Sequence, residues 1–282
     1  MVDLLKVLPQ YLLPQRALSA AMHRFMACPW GWLKGAQIGT VRRLYRVDLS
    51  EAAEPRPGAY RDFNHFFTRA LRPDARPLAP PGCVASPCDG TVVASGRARE
   101  GRLLQAKGRD FTLLELLGGD RELSARLAGA PYVTVYLSPR DYHRVHMPWD
   151  GHLVAMRHVP GRLFSVSPAT TRRVPRLFAR NERLVCAFDG PHGTFALVLV
   201  GALFVGSMET VWAGKVTPPY ARRVSAHTYP GVSLERGAEM GRFNMGSTVI
   251  LVMDEPGLVW GEAAAPGRRV RVGECLGRVG PA

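Results

Sequence analysis

Thr248-Val-Ile-Leu-Val-Met253 is an unbroken run of β-branched and apolar residues, the length of a strand buried on both faces and far too short to span a membrane. Met245-Gly246-Ser247 precedes it. Gly246 lacks the Cβ that restricts backbone angles, and the strand that follows would hold the Ser247 hydroxyl in one place. A serine held in this way is a candidate nucleophile against its own chain, provided that a base takes its proton.

Similar runs recur upstream: Gly90-Thr-Val-Val-Ala-Ser95, Tyr132-Val-Thr-Val-Tyr-Leu137, Arg183-Leu-Val-Cys-Ala-Phe188 and Phe195-Ala-Leu-Val-Leu-Val200, separated by Gly, Pro and Asp. The spacing predicts a largely antiparallel β sandwich or barrel-like core, interrupted by helices near 113–117 and 121–127. The apolar stretch from Phe195 to Val205 is broken by Gly201 and reads as buried strand.

Residues 1–46 have another character. Leu4, Leu5, Leu8, Tyr11 and Leu12, then Leu18, Met22, Phe25 and Met26, fall at helical spacing, while Lys6, Arg16, Arg24, Lys34, Arg42, Arg43 and Arg46 are opposed only by Asp3. With Trp30 and Trp32, this pattern fits helices lying in a membrane interface or an amphipathic layer packed on the protein's own core. The chain therefore reads as α+β in three parts: an N-terminal amphipathic, membrane-associating helical region (1–50), a proline-rich connector with one helix at 60–71 (51–83), and a β-rich catalytic core (84–282).

The 282 residues suffice for a substantial core, and the formal charge of +14 points to an anionic partner such as nucleic acid, phosphate groups or a membrane surface. Lysine occurs only at 6, 34, 107 and 215, a bias that genomic base composition can explain without explaining the excess itself. Five cysteines without a CxxC pair suggest a reduced, cytoplasm-facing compartment and buried thiols; Cys83 and Cys88 lack the second pair that zinc would need. No segment has the length of a transmembrane helix, and Pro9 and Pro14 break the N-terminus as a signal peptide.

Reactive side chains concentrate in three places. Asp89 sits in the turn-like Ser86-Pro-Cys-Asp-Gly90, where an acid is also ordinary turn chemistry. His143 and His146 are three residues apart, on one face of a helix or turn, between Arg140 and Arg144. Positive neighbours disfavour imidazolium, so both should be neutral proton acceptors. A metal could use the same spacing, but no third ligand is evident nearby, so no metal is assigned; His152 and His158 read as surface or core histidines. Ser247 completes the order Asp89, His146, Ser247, which carries little weight alone because triads are defined by geometry. The GxSxG elbow is absent.

The segments Tyr136-Leu-Ser-Pro-Arg-Asp-Tyr-His-Arg-Val-His-Met-Pro148, Leu177-Phe-Ala-Arg-Asn-Glu-Arg183, Val205-Gly-Ser-Met-Glu-Thr-Val-Trp-Ala-Gly214 and Glu239-Met-Gly-Arg-Phe-Asn-Met-Gly-Ser-Thr248 resemble the bacterial phosphatidylserine decarboxylase family. The resemblance runs from the N-terminal helices to Met253; it departs at Met245, where the family most often has Leu, and in lacking the long acidic tail of some relatives. It implies that Asp89 orients His146, that His146 deprotonates Ser247, and that serinolysis between Gly246 and Ser247 yields a β chain, 1–246, and an α chain, 247–282. Ser247 would become a pyruvoyl group, a covalent cofactor that forms a Schiff base with phosphatidylserine and accepts the electrons of decarboxylation, giving phosphatidylethanolamine. His143 would handle substrate or a proton in that step. The implied setting is peripheral, on the cytoplasmic side of the cell membrane, with an anionic phospholipid surface as partner. An α chain paired with a β chain, and a dimer of such protomers, fit the same picture; nucleic acid has no part in it.

Other classes remain open at this level. A serine peptidase or esterase could use the same three residues on an external substrate, and the charge alone would suit a non-enzymatic membrane or nucleic-acid binder, although no nucleic-acid motif is recognisable. A pyridoxal enzyme would need Lys107 or Lys215.

Overall fold

The structure, a computed structural model, describes residues 2–106, 109–204, 207–244 and 247–280, with side chains described from Val7 onward. Met245, Gly246, Val205 and Lys107, all invoked above, lie outside the described residues.

Three helices fill the N-terminal region: α1 (Val2–Leu12), α2 (Gln15–Met26) and α3 (Gly31–Tyr45). Pro14 and Pro29 fall at the two breaks, as expected where a proline bars the preceding residue from helical angles. No helix among the described residues is long and apolar enough to cross a membrane. The reading of an amphipathic layer packed on the protein itself holds for part of this region, while other residues face outward. Ile38 packs with Phe63, Phe66 and Phe67 in a small apolar cluster, whereas Trp30 and Trp32 are 62% and 72% exposed and Leu8, Leu12, Phe25 and Leu44 also face outward. The layer is fastened to one loop of the core. Gln15 Oε1 accepts from the Leu163 amide at 2.8 Å, Gln10 Oε1 accepts from the Ser165 amide at 2.9 Å, and the Tyr11 and Phe164 rings lie 4.9 Å apart.

The connector helix α4 spans only Phe63–Phe67, shorter than the 60–71 expected. The reason is local: Asp62 is extended and its carboxylate accepts from the His65 amide, so the helix starts at Phe63. Further helices are α5 (Leu113–Leu116), α6 (Arg121–Arg126), α7 (Pro168–Arg173) and α8 (Leu177–Arg180).

The strands, in chain order, begin with β1 (Cys83–Ala85), β2 (Gly90–Arg97), β3 (Arg102–Ala106), β4 (Arg109–Thr112), β5 (Pro131–Leu137) and β6 (Arg144–His146). They continue with β7 (Gly151–Val159), β8 (Arg183–Gly190), β9 (Gly193–Val200), β10 (Met208–Thr210), β11 (Gly214–Thr217) and β12 (Ser225–His227). The last are β13 (Ser233–Leu234), β14 (Glu239–Phe243), β15 (Ser247–Met253), β16 (Leu258–Trp260), β17 (Arg269–Val270) and β18 (Cys275–Val279).

All pairings between these strands are antiparallel, and the sheets do not close into a barrel. The largest sheet runs β12-β7-β8-β9-β15-β5-β2-β17, with β13 also on β7; a second runs β11-β10-β14-β6. The strand read first, β15, is buried at every position and lies between β9 and β5. Its continuous apolar run is the signature of a strand covered on both faces. Cys83 on β1 is disulfide-bonded to Cys275 on β18, which corrects the expectation that all five cysteines are thiols; Cys28, Cys88 and Cys186 are free. Cys83 pairs with Arg278 and Ala85 with Cys275, so both cysteines lie in the β1–β18 ladder that the disulfide spans.

Truncating Leu251 to Ala removes a fully buried side chain from the middle of the sheet. The expected loss is about 2–5 kcal/mol of stability, read as a lowered urea midpoint at unchanged slope.

Candidate active site

Strand register determines which reactive residues meet. Thr248 pairs with Val200 of β9 and with Tyr136 of β5; Tyr136 pairs with Thr91 of β2, and Thr91 with Arg269 of β17. One residue further out, Ser247 pairs with Leu137 and Gly90 with Val270. Ser247, the end of β5 and Asp89-Gly90 therefore share one edge of the sheet, with Gly90 two strand spacings, or about 10 Å, from Ser247. Gly90 is required there because a Cβ would collide with the Tyr136 carbonyl oxygen of the adjacent strand.

Ser247 is 0% exposed, and its Oγ has no hydrogen-bond partner among the described residues. Asp89 is buried and firmly held. Its Oδ1 accepts from Arg76 Nε at 3.0 Å and from the Val272 amide at 2.8 Å, and its Oδ2 accepts from Arg76 Nη2 at 2.6 Å.

The two histidines do not share a helix face. His143 lies in the turn after β5, while His146 is on β6, opposite Glu239 of β14. His146 Nδ1 lies 2.8 Å from the Gly237 carbonyl, which can only accept, so Nδ1 carries the hydrogen. Its Nε2 is then the acceptor for the Tyr142 hydroxyl at 3.1 Å. Burial holds the His146 pKa below the usual histidine value, with Arg144 adding to the effect against Gly237, Glu239 and Asp89. The hydrogen bonds of Asp89 thus run to Arg76 and Val272, and those of His146 to Gly237 and Tyr142. Asp89 reaches His146 as a through-space charge.

His143 is wholly buried, its ring centroid 4.1 Å from that of Phe67. Nδ1 donates to the Asp141 carbonyl at 2.8 Å, leaving Nε2 as a lone-pair acceptor without a partner among the described residues. Burial pushes its pKa down to about 3, so the ring is a neutral base at physiological pH. The His143 carbonyl accepts from the Phe243 amide at 3.1 Å. Along β14, Phe243 is four residues, about 13 Å, beyond Glu239, which faces His146.

An apolar cavity of about 460 Å³ adjoins this edge, lined by Leu44, Tyr45, Phe63, Phe67, Tyr136 and Phe204, among others. Phe67 links it to His143 and Tyr136 links it to Thr248. Ser165 and Ser167 also line it, so the loop to which α1 and α2 are fastened forms part of its wall.

Sequence reasoning missed Arg76, Tyr142 and the Gly237 carbonyl as partners of the site. Tyr142 stood inside a quoted motif and was recognisable as a polar ring beside the histidines. Arg76 lies in the connector and Gly237 acts through its backbone, so neither leaves a side-chain pattern near its partner.

A buried serine and a held carboxylate lie at one edge of the larger antiparallel sheet, and two histidines with lowered pKa lie in the loop after β5 and on β6 of the second sheet. The chain belongs to the phosphatidylserine decarboxylase family. The family model of that description matches residues 63–278, and a second, described as PSD, matches 5–46. A phosphatidylserine decarboxylase proenzyme of Azotobacter vinelandii is 50% identical over 99% of both chains, and one of Methylibium petroleiphilum is 51% identical over 98% of both. A third, from Stutzerimonas stutzeri, is 49% identical over 99% of this chain and 95% of its own.

The His143 geometry has a pH consequence. Its imidazole is expected to show no titration by NMR between pH 8 and 5. Unfolding restores the ordinary pKa near 6.5, so the unfolded chain binds the extra proton first. Acidification from 6.5 towards 3 then removes folding stability through this group by up to about 1.4 kcal/mol per pH unit. Titration of the His143 ring itself near 6.5 in the folded protein would contradict its buried placement.

Proposed function

We propose that this protein is a proenzyme that cuts itself between Gly246 and Ser247 and then decarboxylates phosphatidylserine to phosphatidylethanolamine. The observation that carries the reading is the wholly buried Ser247 Oγ, without a partner among the described residues, at the head of a central strand in a chain whose family members are named as proenzymes.

The Ser247 oxygen, its proton taken by a histidine, attacks the carbonyl carbon of residue 246; the C–N bond breaks and an ester replaces the amide. Loss of the Ser247 α proton expels the 1–246 carboxylate and leaves dehydroalanine, from which water releases ammonia and yields a pyruvoyl group. Ser247 fits that product because it is enclosed and anchored by β15. When formed, the group supplies an electron sink for decarboxylation. Asp89 and His146 are assigned to self-cleavage. Asp89 acts on His146 by its charge in the uncut form, and a hydrogen bond between them requires Nδ1 to leave Gly237. The bare Nε2 of His143 favours a second reading, in which His143 is the base for Ser247 as well as the group that moves a proton during decarboxylation. Cutting at the start of β15 leaves that strand clasped between β9 and β5, so the α chain, 247–282, stays with the β chain, 1–246.

The apolar cavity supports an acyl-chain site. The outward Trp30, Trp32, Leu8 and Leu12, set among basic residues, support peripheral docking on an anionic cell membrane from the cytoplasmic side. A dimer of processed protomers is compatible with this arrangement.

Intact-mass measurement tests the reading. Wild type should appear as two chains divided after residue 246, with release of CO2 from phosphatidylserine vesicles, while Ser247→Ala, Asp89→Asn and His146→Ala should each give one uncut chain. An intact wild-type chain that labels with a serine-directed phosphonate would instead establish a peptidase or esterase. Efficient cutting by His146→Ala together with none by His143→Ala would move the base to His143.

A further inference from the structure

Asp89 is held by donors from two distant parts of the chain: Nε and Nη2 of Arg76, in the connector, and the amide of Val272, near the C-terminus. An ionised carboxylate has about four acceptor positions, shared equally by its two oxygens. Oδ1 takes both Arg76 Nε and the Val272 amide, whereas Oδ2 takes only Arg76 Nη2. The remaining acceptor capacity is therefore on Oδ2, and the planar guanidinium fixes the direction in which it is offered.

Arg76 is itself anchored. Its Nη1 donates to Glu51 Oε2 at 2.9 Å and to the Ala75 carbonyl at 2.7 Å, and Arg271 donates to the other oxygen of Glu51 at 2.9 Å. The Arg76 side chain is 11% exposed, which leaves these bonds little competition from water. Without the guanidinium, Asp89 would keep only the Val272 amide, and one bond to one oxygen does not stop the carboxylate from turning.

The placement of Arg76 connects it with the histidine. Asp89 lines a cavity of about 430 Å³ and His146 lines another of about 330 Å³, while Arg76 and Tyr142 line both. Arg76 is bonded to the acid and Tyr142 to His146 Nε2, so these two side chains stand between Asp89 and the histidine assigned to it. The positive charge of Arg76 offsets part of the field of Asp89, so any help it gives lies in orientation, whereas a purely electrostatic effect would restrain the acid.

We propose that Arg76 is a positioning residue for self-cleavage, acting through Asp89 by presenting the free acceptor position of Oδ2 to the histidine. The inference rests on the self-cleaving reading above. It adds a residue that touches none of the reacting atoms and lies far from both the serine and the histidines in sequence.

Pulse-labelled cell-free synthesis of the full-length chain, with cutting followed after synthesis is stopped, tests the proposal. Arg76→Ala is expected to cut about tenfold to a hundredfold more slowly than wild type, the scale of loss for a group misplaced by ~1 Å. Ethylguanidinium added when synthesis stops should restore much of the rate, because the vacated position borders both cavities, while ethylammonium, a point charge without a fork, should not. Neither cation should restore cutting in Asp89→Asn. If limited proteolysis shows that Arg76→Ala does not fold, Arg76→Lys carries the test: it keeps the charge, loses the fork and should also cut about tenfold more slowly at an unchanged urea midpoint. Wild-type cutting by folded Arg76→Ala or by Arg76→Lys overturns the role, and faster cutting overturns it in favour of restraint by neutralisation. Slow cutting of Arg76→Ala that both cations restore equally, or that neither restores, reduces Arg76 to a structural part and also overturns it. An uncut wild-type chain is a separate result, which removes the self-cleaving reading itself and with it the reaction that Arg76 would serve.

Discussion

The pairing of β15 with β5 and β9 is the constraint on which the site depends. Six consecutive pairs on each side fix its register. A slip by one residue would exchange the two faces of the strand and move Ser247 out of line with Leu137. Because β5 is in turn registered on β2, the same ladder locates Asp89 relative to the serine, although the two are separated by more than half the chain. Local sequence alone would not hold a nucleophile and a carboxylate in this relation; the hydrogen-bonded sheet does.

Against that rigid frame, the site retains polar atoms without partners. Ser247 Oγ, His143 Nε2, and Nε and Nη1 of Arg69 are all buried and unmatched among the described residues. Each such group costs on the order of 1–3 kcal/mol, a burden that a large apolar core can carry. Unpartnered buried atoms also occur at Gln37, Asn64, Thr134, Trp212, Tyr220 and Thr248 among the described residues, while other buried side chains are fully bonded. Asn181 bonds to Phe164 and Gly201, and Arg183 bonds to Leu116, Asn181 and Glu115.

The strands were legible because their information is local. Thr248 to Met253, Phe195 to Val200 and Tyr132 to Leu137 all became strands, with ends extended by one or two residues where the ladder continues. The overall α+β class followed from the same runs together with the N-terminal helical spacing. What was not legible depends on distance along the chain. The spacing of His143 and His146 suggested a shared face, but a turn places one beside Phe243 and a strand places the other beside Glu239. Arg76 meets Asp89 only because the connector folds back over β2, and the bond between Cys83 and Cys275 spans 192 positions. The reactive residue types could be read individually, whereas their partners could not.

The central location of β15 also bears on how such a molecule could be made. If the chain is divided just before this strand, the shorter product carries a strand from the middle of the largest sheet, and its vacated place would expose β5 and β9 as two unpaired edges. Assembly before division is intramolecular and independent of concentration. After division, unfolded pieces would have to meet by diffusion unless the link between Cys83 and Cys275 still held them, so reassembly would change from first to second order when that bond is reduced. A single precursor thus acts as its own template, and the completed molecule inherits a shape that its separated parts have little means of regaining.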